Sequence, residues 1–231
     1  MKISSLIDKN YEPLKTTVIR FCFAVIFSIA LAYIESAVVV YLRIILHPEG
    51  FAFPLTNFGD NLLWQQILIT EIAREAATIV VIITAAYLFG KNNQQRFAFF
   101  FTIFAVWDIF YYVWLKVLIN WPVSIMDWDI LFLIPITWAS PVLAPVLASI
   151  TMLIFAIGIF YLNSKNISLK ITVPELTGFI LSAVVIVISF CIGGLRINQP
   201  DYNSYFYWPL FASALLVATV LFAKCALKKT A

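Results

Sequence analysis

The sequence predicts an all-α fold: a polytopic membrane bundle of six transmembrane helices, with a short extra Pro-broken helix before the fourth. Three observations predict it. Apolar runs recur along the chain, each long enough to cross a bilayer core, which takes roughly 20 residues. Only 12% of the 231 residues are charged and 63% are hydrophobic, where a soluble domain carries roughly 25% charged residues. The basic residues also sort by loop: Lys2, Lys9, Lys15, Arg20, Lys91, Arg96, Lys165, Lys170, Lys224, Lys228 and Lys229 fall on one side, against Arg43, Lys116 and Arg196 on the other. That asymmetry puts both termini in the cytoplasm, and six crossings satisfy the parity. The expected location is the cytoplasmic (inner) membrane, multi-pass.

At the start of the chain, Ile3, Leu6, Ile7 and Leu14 recur at near-helical spacing among Lys2, Lys9 and Lys15. This predicts an interfacial segment over 1–16, ended near Pro13. The first crossing is expected over Thr17–Leu46. Arg20, an apolar run and Ala30-Leu31-Ala32 have the form of a signal peptide, but the run continues through Ala37 to Leu46, so the helix is expected to stay uncleaved. Leu62–Phe89 and Phe97–Ile119 form the second and third crossings.

The apolar stretch 130–162 would reach about 50 Å as one helix at 1.5 Å per residue, too long for one crossing. Pro135, Pro141 and Pro145 offer the break. A short helix over Ile130–Ala139 is expected at the surface or dipping in, capped by Asp127 or Asp129, with Val142–Leu162 as the fourth crossing. The fifth is Leu176–Ile197 and the sixth Leu210–Leu227. A single membrane domain thus covers 1–231, with polar-site helices over 18–162 and scaffold helices over 176–227.

The polar residues inside these helices carry the functional signal. Glu71, Arg74 and Glu75 lie near the middle of the second crossing, where each ionisable side chain costs about 2.5–3.5 kcal/mol on insertion scales. They cannot face lipid, so their partners must come from neighbouring helices. Glu35, Glu71 and Asp108 come out at similar depth, about 12, 13 and 15 Å from the same ends of three successive helices. Glu71, Arg74, Glu75 and Thr78 share one helical face, and Asp108, Tyr111, Tyr112 and Lys116 share another. Turned inward, these groups hold more acids than cations, which calls for a proton or a bound cation. The plain alternative is an ion-pair network that ties helices together.

The outer loops add Trp121, Asp127, Asp129 and Trp138 as further candidates. Trp121, Trp128, Tyr202, Tyr205, Tyr207 and Trp208 form an interfacial belt or a lid over a cavity. Cys22, Cys191 and Cys225 are widely spaced in apolar runs and are expected to act as packing residues. With a single histidine, His47, and no HExxH or GxxxxGK, neither a metal nor another cofactor is expected. Glu71-x-x-Arg74 places a cation where a di-iron site needs His, and Asp127-Trp128-Asp129 is a thin echo of acid pairs that bind magnesium diphosphate.

Expected partners are membrane lipids, a small-molecule, ion or lipid ligand, and a homo-oligomer or larger membrane complex. The net charge of +3 gathers near helix ends, which suits anionic headgroups and not nucleic acid. Three functions fit. A small-solute or proton-coupled carrier would use the buried carboxylate, Arg and Tyr site, open to the outer face. A membrane-embedded enzyme would act on a lipid or isoprenoid by carboxylate acid/base chemistry. A non-catalytic subunit would dock through the plain fifth and sixth helices.

Overall fold

The computed structural model describes residues 14–55 and 62–228, with side chains over 16–55 and 65–228. The expected surface segment before Pro13 lies outside the described residues. Six helices follow in order: α1 (Leu14–Leu46), α2 (Leu62–Phe89), α3 (Asn93–Ile119), α4 (Leu143–Ser164), α5 (Val173–Gly194) and α6 (Trp208–Leu227). All six are long and apolar enough to cross a membrane, as an integral membrane protein requires. Their starts carry local signals. The Asn92 side chain accepts from Gln95 N ahead of α3. Thr172 and Glu175 form a capping box at the start of α5, with Pro174 in the first turn, satisfying backbone donors that a helix leaves open.

The stretch Ile130–Ala139 is not a helix. It lies in an antiparallel hairpin, β1 (Trp128–Phe132) with β2 (Trp138–Pro141), paired Trp128 to Pro141 and Ile130 to Ala139. A short apolar run reads alike as buried helix or strand by periodicity. Here Trp-Asp-Ile-Leu-Phe is rich in aromatic and β-branched residues, and Pro135 both lacks a donor and pushes Ile134 into extended backbone. Neither Asp127 nor Asp129 caps a helix. An isolated two-stranded hairpin is marginal in water, so the bundle must hold this one.

Small residues bring α1 close to α3. Ala24, Ser28, Ala32 and Ser36 recur every four residues and are fully buried. Ser28 and Ser36 donate to carbonyls of their own helix, and Ser36 also to Tyr111 O of α3 at 3.1 Å. Stripes of this kind let membrane helices approach backbone to backbone. α3 also packs against α2 and α4, while α5 packs against α6 and β2, and α6 joins that pair to α4. The pairing of α5 with β2 is tight. A Cβ on Gly193 or Gly194 would overlap the carbonyls of Ala139 and Thr137, so the hairpin backbone rests directly on the helix backbone.

One end of the bundle is tied together by carboxamides. Asn92 Nδ2 donates to Asn163 Oδ1 at 3.2 Å, Asn163 Nδ2 donates to Gln94 Oε1 at 3.2 Å, and Gln94 Nε2 donates to Leu169 O at 3.0 Å. Arg20 joins this set through Gln95 Oε1 at 3.2 Å and through Phe89 O. The hairpin lies at the opposite end.

Candidate functional site: a charged cavity under the hairpin

A cavity of about 1130 Å³ runs from Asn93, Gln94 and Leu169 at the carboxamide end to Arg43, His47 and Phe51 at the hairpin end. Its walls are mostly apolar, with Phe101, Phe155, Phe179 and Phe222 among them. Its charged groups gather towards the hairpin.

α2 presents Glu71, Arg74 and Glu75 to this space. Arg74 bonds Glu71 along its own helix at 2.7–2.8 Å and reaches across to Glu35 of α1. A guanidinium with its flat fork can hold two carboxylates at once, and an unpaired charge at this depth would be expensive. Glu75, one turn further on, accepts from the backbone N–H of Leu133 at 2.9 Å. It therefore ties α2 to the turn of the hairpin.

α3 presents Asp108, Tyr111 and Tyr112. Asp108 accepts from Ser149 of α4 at 2.8 Å. Tyr111 donates to Asp129 at 3.1 Å and stacks edge-on with Tyr112 at 4.9 Å. Asp129, 2% exposed, also pairs with Arg43 of α1 at 3.1 Å. Burial pushes the Asp129 carboxyl up to about 6, against the opposing pull of Arg43 and Tyr111. Burial, reinforced by the Arg43 charge, lowers His47.

The remaining sequence candidates divide. Trp138 lines the cavity and stacks on Phe190 with ring centroids 6.1 Å apart. Trp121 lies behind the cavity wall, its ring 3.8 Å from the Arg43 guanidinium, with Phe51 at 4.0 Å. The two rings, set edge to face, both lie against Arg43 and partly replace its water. Asp127 closes a turn by accepting from Val123 N and Ser124 N at 2.7 and 3.0 Å. Lys116 does not reach the cavity. It is exposed and donates to the carbonyls of Asn120 and Pro122, because a long cationic side chain in a last turn is drawn to the helix C-terminus.

Sequence reasoning missed Arg43 and Ser149. An arginine in the last turn of a membrane helix reads as a headgroup contact, and only the later Asp129, strand-borne, reveals its partner. Ser149 had no signal beyond its place on α4. The indole N–H groups of Trp107 and Trp138 are buried without an acceptor among the described residues. Also among the described residues, no group of three His, Cys, Asp or Glu side chains is placed to hold a metal ion.

No family model, curated protein or solved structure matches this chain. Its chemistry is therefore read from its own geometry.

Proposed function

We propose that this protein is a carrier of the cytoplasmic membrane, with both termini on the cytoplasmic side, and that its cargo is an amphiphile with a positively charged head. The observation that carries this reading is the cavity itself, which extends between the two ends of the bundle and is apolar over most of its length. A small polar solute would gain nothing from such walls, whereas an alkyl chain gains about 0.8 kcal/mol per buried CH₂.

Charge selects the head. The cavity is lined by Glu35, Glu71, Glu75, Asp108 and Asp129 but by only two guanidiniums, Arg43 and Arg74, and both of these are already paired. Glu75 and Asp108 are held by a backbone N–H and a hydroxyl, both neutral donors. A cationic head placed among them would offset this excess, with Trp107, Phe132 and Tyr111 offering ring faces. A phosphate or carboxylate head would add to it.

The test is movement of a fluorescent single-chain quaternary ammonium amphiphile across proteoliposome membranes, read by an impermeant quencher. The protein is expected to speed its movement at least tenfold and to leave a carboxylate of the same chain length unaffected. The variant Glu75→Gln, Asp108→Asn should lose most of that gain. Equal rates in empty and protein-containing vesicles would remove the proposal.

A second reading has its own support: among the described residues Asp108 and Glu75 line the same cavity from different helices and form no salt bridge, which leaves two carboxyls for acid/base work. An enzyme acting on the same amphiphile would leave a chemically altered product in the vesicles, whereas a carrier returns it unchanged.

A further inference from the structure

The hairpin is fastened unevenly. At its base, Asp129 is tied to Arg43 and Tyr111, and the neighbouring backbone bonds Val142 N to Asp127 O and Leu143 N to Ile125 O. The carbonyls of Ala139 in β2 and of Thr137, the turn residue before it, sit where only glycine fits on α5. Trp128, Asp129, Ala139 and Ser140 are buried. Towards the turn this changes. Pro135 and Ile136 are exposed, and among the described residues the hydrogen bond that holds the turn to α2 is the one from Leu133 N to Glu75. Base and seat are fixed by ions and backbone contact, and the Thr137 end of the turn rests on Gly194, while the Leu133 end is held to α2 through one carboxylate.

That carboxylate also lines the cavity. We infer that the hairpin is a strap across the charged end of the cavity, hinged at its base and latched by Glu75, and that a cationic head reaching Glu75 draws its carboxylate away from Leu133 N and frees the turn. The inference rests on the carrier reading for its cargo, but the latch itself needs no cargo. The charged groups around Glu75 are Arg74 and Glu71 of its own helix and Glu35 of α1. Arg74 is occupied by the other two acids, so the backbone N–H is the donor that Glu75 would have to give up. A hydrogen bond to a charged acceptor is roughly twice as strong as a neutral one, so neutralising Glu75 weakens the latch without deleting it.

The experiment measures access to the cavity in nanodiscs. Cys22, Cys191 and Cys225 are first replaced by Ala, and a reporter thiol is introduced as Ala148→Cys on the cavity wall. Its rate of reaction with a charged, water-soluble thiol reagent reports the strap. Glu75→Leu, which removes the acceptor, is expected to raise that rate roughly tenfold, as loss of one charge-assisted hydrogen bond implies. Glu75→Gln keeps an acceptor oxygen and should raise it by a smaller factor.

Gly194→Ala unseats the Thr137 end of the turn with Glu75 intact and should raise the rate as well, which guards against a defect peculiar to the Glu75 variants. Adding the quaternary ammonium amphiphile should speed labelling of the parent protein and leave Glu75→Leu unchanged. Equal labelling of parent, Glu75→Leu and Gly194→Ala would overturn the strap. Failure of transport with these labelling differences intact would instead remove the carrier reading and leave the strap standing.

Discussion

The two ends of the cavity are built from different chemistry. At one end, Asn92, Gln94, Gln95 and Asn163 join α3, α4 and the loops beside them through neutral carboxamides. Towards the other, the lining groups are ionisable: Arg43 with Asp129, Arg74 with Glu35 and Glu71, and Glu75 with the hairpin. A carboxamide has no charge to gain or lose, so its bonds hold with the same strength at any ordinary pH. A carboxylate bond changes when a proton or a cation arrives. The carboxamide contacts are thus indifferent to such changes, and the contacts at the hairpin end are sensitive to them.

The largest expected effect breaks the responsive end. Arg43→Gln removes the partner of an acid that is 2% exposed. Losing one member of a buried pair costs about 3–5 kcal/mol, and we expect that loss in unfolding measurements in detergent at pH 8. At pH 5 the loss should shrink, because Asp129, whose carboxyl is raised to about 6, takes up a proton when its partner is gone. Pairing Arg43→Gln with Asp129→Asn should recover most of the stability at pH 8.

A smaller effect belongs to Asp129 in the parent protein. Its pKa in the folded chain lies above the ordinary value of 3.8, so the folded state binds the proton more tightly than the unfolded one. The resulting stability is complete below about pH 4 and is lost as pH rises through 6. At 1.36 kcal/mol per pKa unit this amounts to at most about 3 kcal/mol. An unfolding series from pH 4 to 7 should show the decline, and Asp129→Asn should flatten it.

The smallest effect sharpens the contrast from the other side. Asn163→Ala removes bonds to Asn92, Gln94 and Gln95 and is expected to cost about 1–3 kcal/mol. The cost should be the same at pH 5 and pH 8. A pH-dependent loss here would mean that the two ends do not divide the work as described.

The sequence made the helices legible because bilayer thickness fixes their length, and α2 was readable to the residue at Leu62 and Phe89. The proximity of Glu35 to Arg74 was also within reach, since a charge in an apolar run must find a partner on another helix. The hairpin was not. Ile130–Ala139 is apolar on both faces of its strands, so the period-2 alternation that marks a half-exposed strand is missing. Arg43 escaped for a related reason: its partner lies in that hairpin, 86 residues away. Lys116 shares a helical face with Asp108, but spacing along a helix does not say which way a long, flexible chain will turn.

The stripe of Ala24, Ser28, Ala32 and Ser36 sets a mechanical condition on everything else. Two backbones pressed together through such small side chains have little room to rotate or slide, so α1 and α3 act as a keel. Any motion of the bundle must then be borne by the pieces attached to it, α2 on one flank and the α5–α6 pair on the other. Under the proposed carrier function, restraining either flank should stall transport, whereas a covalent bridge between α1 and α3 should leave it running.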